Sequence, residues 1–557
     1  MNIKSNYPWL STIMLFCMLL LLACPGQVSA HAYVVKSIPA ANEALDKSPE
    51  EITIVYNEPI ERVFHSLAVT NTSGARVDLD NSHVDEKNPA KLTAGLQKNL
   101  PDGIYTVSWR VVSADGHPIT GVLPFIIGSG ESVPIAETAA AAKSLPDWDG
   151  TLIRWLQYTG LSLYLGTLFF HLFLLPKAER REAYKLGRSQ WTLIISFVLT
   201  AAGVVLSLPL HAKLDAGVTW SEAWGKDVLG ETLRYSSFGS IWWTQVLLLL
   251  ILAGLTYALI PKWSQGEKPV FAGMAVGTIL AMFAAKAFMG HAATAELEGV
   301  AIGNDFVHLA AASLWLGSLL ALAFLLPAYS RGKTDPAERK QLYWATIQRF
   351  SLTGAVCVIL LLGSGIYGIK IFTPSLGSLF TSIYGQVLLG KIALFIIMLV
   401  FALTGFLRGR RQNKVLGPAV WIEFSVGIVV LILAAILSNL PTALSNPGPA
   451  HLEDTTRTGY TVMIDISPNI MGKNEFKISV KDPDGKPVTA IEQASLKLTS
   501  REMAMGTLEI NMPGNTSPVI KEDLITMAGR WEIKYHVLLK SLDSLDGIVN
   551  FTVGNPK

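Results

Sequence analysis

Three residues of the sequence could do chemistry together. His31 stands directly after "QVSA", and Asp115 and His117 share the turn "SADGH". A chain beginning at His31 would offer two nitrogen donors from one residue, the α-amine and the imidazole, able to close a chelate ring on one metal ion. Asp115 and His117 are two apart, so in extended chain they point the same way. A turn at Gly116 could aim both at a common point. Two imidazoles, an amine and a carboxylate make an N,N,N,O set, which suits a square-planar or tetragonal Cu(II) site. "DGH" alone reads rather as a hairpin turn with an exposed histidine; its pairing with a histidine at the mature terminus favours metal.

That terminus depends on how residues 1–30 are read. Lys4 is followed by the apolar run "WLSTIMLFCMLLLLA" and closes on "VSA", the layout of a secretory signal cut before His31. The apolar run is short for a retained membrane helix, and Pro25 and Gly26 break it. "LLAC" also fits a lipoprotein box, with a cut before Cys24 that would bury the His31 amine in a peptide bond.

Composition sets the surroundings. The 557 residues are 50% hydrophobic and 16% charged, with net charge +2 and mean hydropathy +0.39. This is too apolar for an ordinary soluble protein, and the charge gives no reason to expect a nucleic-acid partner. Of three cysteines, Cys17 and Cys24 lie in the leader and Cys357 in an apolar stretch. The regions outside the membrane therefore have no disulfide framework and no thiolate site.

Eight stretches have membrane-spanning length, near 152–175, 191–210, 240–260, 270–290, 303–327, 350–371, 385–407 and 418–440. Positive charge gathers in alternate loops: Lys177, Arg180, Arg181, Lys185 and Arg188; Lys262 and Lys268; Arg331, Lys333, Arg339, Lys340 and Arg349; and Arg408, Arg410, Arg411 and Lys414. The positive-inside rule makes these loops cytoplasmic, so the segments at 31–128 and 451–557 face outward from a multi-pass cell-membrane protein. Residues 129–149, rich in Ala, Ser and Pro, read as a linker into the membrane domain at 150–440. Both outer segments alternate apolar and polar residues between turns such as Ser-Gly and Pro-Asp-Gly, which predicts antiparallel β-sandwiches.

"HAYVVKSIPAANEAL", "YNEPIE" and "WRVVSADGHPITGVLPFIIG" resemble the CopC copper-binding domain across nearly all of 31–128. The resemblance implies Cu(II) ligation by His31, Asp115 and His117, with Glu58 as an acidic neighbour of the metal. Residues 31–148 contain no methionine, so the Met-rich Cu(I) site of some relatives is not expected. "FVHLAAASLWLGSLLAL" and "TSIYGQVLLGKIALF" resemble the CopD copper-transport protein, which implies copper passage across the membrane. "REMAMGTLEINMPG" and "TMAGRWEIKYHV" look like the YtkA-like domain, where Met503, Met505 and Met512 either form a thioether Cu(I) site or fill a sandwich core. The whole chain is similar to the fused CopC–CopD copper proteins of the YcnJ type, a resemblance that favours import.

Ionisable groups in membrane helices are costly and usually face a cavity or a partner. The candidates are Arg154, His171, His211, Lys286, His291, His308, Lys391 and Glu423. His211, Met289, His291 and His308 all fall toward the outer side, where imidazole and thioether could pass a copper ion, and His171 toward the cytoplasmic end could line an exit. Each histidine could equally serve a helix–helix hydrogen bond. The three basic residues are expected to pair with Glu423 or a backbone carbonyl. No Walker A or DKTG-type sequence appears and no hydrolytic motif, so the chain reads as a transporter rather than an enzyme, with copper, the bilayer and an extracellular copper chaperone or reductant as partners. Export or resistance, copper sensing or buffering, and axial haem ligation by paired histidines remain the alternatives.

Overall fold

The computed structural model describes residues 34–40, 43–56, 59–112, 118–128, 148–180, 187–262, 269–289, 298–373, 376–411, 417–440, 442–443, 446–488, 491–501, 507–513, 518–525 and 529–554.

The first β-rich region holds β1 (Val34–Ile38), β2 (Ala44–Leu45), β3 (Glu51–Tyr56), β4 (Ser66–Asn71), β5 (His83–Val84), β6 (Lys91–Gly95), β7 (Gly103–Val112) and β8 (Pro118–Ile127). They form two sheets, ordered β1-β3-β6-β5 and β2-β8-β7-β4. Period-two alternation decides the inward faces: β7 buries Tyr105, Val107, Trp109 and Val111 in turn. They meet Ile54 and Leu92 from the opposite sheet in one core. Fully burying a side chain such as Phe125 there contributes about 1.5–3 kcal/mol relative to leaving it exposed. The expected β-sandwich is present.

Eight long helices follow: α1 (Trp148–Phe169), α2 (Gly187–Ala216), α3 (Ser237–Lys262), α4 (Pro269–Ala287), α5 (Glu298–Leu320), α6 (Pro336–Phe372), α7 (Ile383–Arg411) and α8 (Gly417–Leu437). Among the described residues seven helices are long and apolar enough to cross a membrane, and they correspond to α2–α8. The exception is α1, for a reason visible in its packing. It is surrounded by α2, α5 and α8 and buries Gln157, Tyr158, Ser162, Tyr164 and Thr167. A helix shielded from lipid by its neighbours can be polar, provided its side chains find partners. They do: Gln157 donates to Gln245 of α3 at 2.7 Å, Ser162 to Ser313 of α5 at 3.0 Å, and Tyr164 shares a 2.7 Å hydrogen bond with Thr256 of α3. Close approach of α1 and α5 depends on Gly166 and Gly317, where a Cβ on either would overlap the other helix's backbone. Short π-helical turns continue α1 at Phe170–Leu174 and α5 at Ala321–Leu325, and both enter one apolar cluster.

The last region holds β9 (Ala450–Thr455), β10 (Thr461–Ser467), β11 (Gly472–Lys481), β12 (Pro487–Val488), β13 (Ile491–Ser500), β14 (Leu508–Pro513), β15 (Val519–Ile525), β16 (Gly529–Leu539) and β17 (Ser544–Val553). One sheet runs β12-β11-β10-β9 with β15 also on β11, the other β14-β13-β16-β17. Trp531, Phe476 and their neighbours fill a single core between them. The end of α8 and the start of α1 lie side by side, since Arg154 donates to the Ser438 carbonyl. Both β-rich regions therefore join the bundle on the same side.

Candidate metal centre

His31, Glu58, Asp115 and His117 lie outside the described residues, but the strands that carry them are well defined. Val34, at the start of β1, pairs with Tyr56, at the end of β3. Val112, ending β7, pairs with Pro118, opening β8. Tyr56 meets Trp109 of β7 edge to face across the sandwich, with ring centroids 5.4 Å apart. The Glu61 amide donates to the Val112 carbonyl at 2.8 Å. The strand ends that flank residues 31–33, 57–58 and 113–117 thus all lie at one end of the sandwich. Beneath that end, Tyr56 Oη and Trp109 Nε1 are buried donors without a hydrogen-bond partner among the described residues. Burial pushes the Tyr56 hydroxyl's pKa well above its usual value, so it stays protonated.

The same end touches the bundle. Arg110 Nη2 donates to the carbonyl of Leu214, near the end of α2, at 2.9 Å. His211 lies one turn back along that helix and stacks on Phe238 of α3, centroids 3.8 Å apart.

His308 Nδ1 lies 2.8 Å from Ser364 Oγ of α6, and that hydroxyl donates to the Leu360 carbonyl at 2.6 Å. A hydroxyl has one proton, so here it must accept from His308 Nδ1–H, which leaves the lone pair on Nε2. This is the arrangement that orients a metal-ligating imidazole. Asn304 fastens the same turn by donating to the Ser364 carbonyl at 3.1 Å. Met289 Sδ accepts from Gln245 Nε2 at 3.4 Å, which ends the chain Gln157–Gln245–Met289. His171 is fully buried in the π turn after α1, edge-on to Phe170.

Among the described residues no three His, Cys, Asp or Glu side chains could hold one metal ion. His211, Met289 and His308 are each held by a different neighbour, and His291 lies outside the described residues. Met512 is 1% exposed in the core of the last sandwich, which fits the core-filling role; Met503 and Met505 lie outside the described residues.

The expected pairing of the intramembrane bases needs correction. Arg154 does find a backbone carbonyl, that of Ser438, but the carboxylate acting on Lys286 and Lys391 is Asp305 of α5. Glu423 of α8 instead neighbours Trp315 of α5, and its Oε1 has no hydrogen-bond partner among the described residues. Asp305 was within reach of sequence reading, as an acid three residues before His308 in an apolar run. Gln157, Gln245 and Ser364 were not, because neutral polar residues are common in membrane helices and only the packing shows which of them meet.

The fold and site define a multi-pass membrane protein with a β-sandwich seated on one face of its helical bundle. Residues 34–128 match the CopC domain, 145–302 the Copper resistance protein D-like, N-terminal domain, and 344–437 Copper resistance protein D. The chain is 35% identical to Copper transport protein CutJ of Bacillus subtilis (strain 168), over 99% of this chain and 100% of that one. It is 29% identical to Copper resistance protein D of Pseudomonas syringae pv. tomato, over 45% of this chain and 78% of that protein. The crystal structure of CopC from Methylosinus trichosporium OB3b, 25% identical, covers 18% of this chain and 99% of its own with a TM-score of 0.17. The chain belongs to the family of fused CopC–CopD proteins that includes CutJ.

Proposed function

We propose that this copper-transport protein imports copper: the first β-sandwich faces outward, captures Cu(II) through His31, Asp115 and His117, and delivers it to a path through the bundle. The observation that supports this reading is the strand pairing: Val34, Val112 and Pro118, which flank the segments bearing the three proposed ligands, stand at one end of the sandwich. Glu58 belongs to a segment at that same end. The positive-inside pattern and the shared side on which both β-rich regions join the bundle support the orientation. His308, with its Nε2 lone pair turned away from Ser364, and Met289 are the path residues with the best-defined supports. Imidazole and thioether suit Cu(I), so reduction, by a reductant outside the protein, would precede passage along Met289 and His308. No ATP motor is required, since a doubly charged ion entering an inside-negative cell gains about 4.6 kcal/mol per 100 mV and a singly charged one about half that. The C-terminal sandwich, resembling YtkA-like domains, is assigned a structural core at Met512 rather than a thioether site there.

The test is Cu(II) titration followed by EPR on residues 31–128, starting at a free His31 or carrying one extra residue before it. The expected result is a tight, nitrogen-rich tetragonal site in the first and a weaker, altered spectrum in the second. Equal binding would remove the amine from the ligand set.

A further inference from the structure

The contact between sandwich and bundle is small and polar, and it lies beside the candidate Cu(II) site. Arg110 reaches from the outward face of β7 to the Leu214 carbonyl. Gly217, at φ +66°, lets the chain turn against the guanidinium, and a Cβ there would sit 2.7 Å from Arg110 Nη1. Asp215, two residues before Gly217, is buried, 2% exposed, and its Oδ1 has no hydrogen-bond partner among the described residues. The charged groups acting on it come from the sandwich: Glu61 repels it and Arg110 attracts it. Glu61 is itself tied to Val112, the last residue before the 113–117 segment. A segment of that length can reach no more than about 9 Å beyond the strand ends. Asp215 and His211 are four residues apart on α2, hence on one face and about 6 Å apart along the axis.

A buried carboxyl group with an unused oxygen is costly unless something meets it, and here it stands one helical turn from an imidazole, at the point where the two regions touch. We propose that copper crosses from the sandwich to the bundle at this junction, with Asp215 and His211 as the receiving ligands and Arg110 as the positioning residue that holds the sandwich over them. Carboxylate and imidazole together accept Cu(II) and are less suited to Cu(I), so transfer precedes reduction. No bond other than metal–ligand bonds changes in the step.

The proposal rests on the reading that the sandwich delivers copper inward, and the test separates the two. Full-length protein in proteoliposomes, sandwich outward, is given Cu(II) with an external reductant, and uptake is measured for wild type, H117A, R110A, R110K, D215N and D215E. R110A and D215N should each lower the maximal rate about tenfold, the loss expected for one charge-assisted contact. The half-saturating copper concentration and the Cu(II) EPR spectrum of the sandwich should not change. R110K and D215E should recover part of the rate, which a variant that merely misfolds would not allow. If H117A abolishes uptake while R110A and D215N transport like wild type, the junction is wrong and the delivery reading stands. If H117A transports like wild type, delivery by the sandwich is overturned and the junction falls with it.

Discussion

Asp78 shows how one residue ties the outer sandwich to pH. Its carboxylate accepts from the Val69 amide at 2.8 Å, the Asp80 amide at 3.2 Å, and Arg76 Nε and Nη2 at 3.0 and 2.9 Å. Burial works to raise its pKa, but these bonds, led by Arg76, outweigh it and hold the carboxyl below the usual range. A lowered folded pKa means stability that is complete above the unfolded value, about 3.9, and lost as pH falls through the folded one. Thermal melts of residues 31–128 should therefore drop in acid. Asp78→Asn should cost about 2 kcal/mol near neutrality and flatten the acid slope; an unchanged slope would show that other carboxylates set it. The sequence marked His31, Asp115 and His117 through their types and spacing. Asp215 carried no such mark, because its meaning depends on Arg110, more than a hundred positions away, and only tertiary contact brings them together.

At the scale of elements, the two sandwiches were legible because period-two alternation reports which face is buried wherever one face is wet. Hydropathy likewise found the helices that meet lipid. It marked α1 as well, near 152–175, but not that its neighbours replace lipid and that its polar groups bond to α3 and α5. The tight crossing of α1 and α5 makes a sharp prediction. Gly317→Ala should lower thermal stability in detergent by about 1–3 kcal/mol, since the new methyl must push backbones apart. Gly254→Ala on α3, where nothing lies within 4 Å, should be neutral or stabilising. Equal effects would mean that the crossing has room to relax.

For the whole molecule, the proposed orientation places the last sandwich outside and the α5–α6 connection inside. In intact cells, a membrane-impermeant thiol reagent should label Thr458→Cys, on an exposed turn, and spare Arg331→Cys. The opposite pattern would invert the topology and with it the direction of delivery. Native Cys357 is buried and should not interfere.

The central place of α1 also bears on how the protein is made. Of the long helices α1 is synthesised first, yet among the described residues it is the one that falls outside the set long and apolar enough to cross a membrane. Its buried Gln157 and Tyr164 acquire their partners only when α3 has been translated. A nascent α1 held alone in the bilayer would carry those groups unpaired. Stable integration of α1 is then expected to depend on α3, which would couple membrane insertion to folding of the bundle.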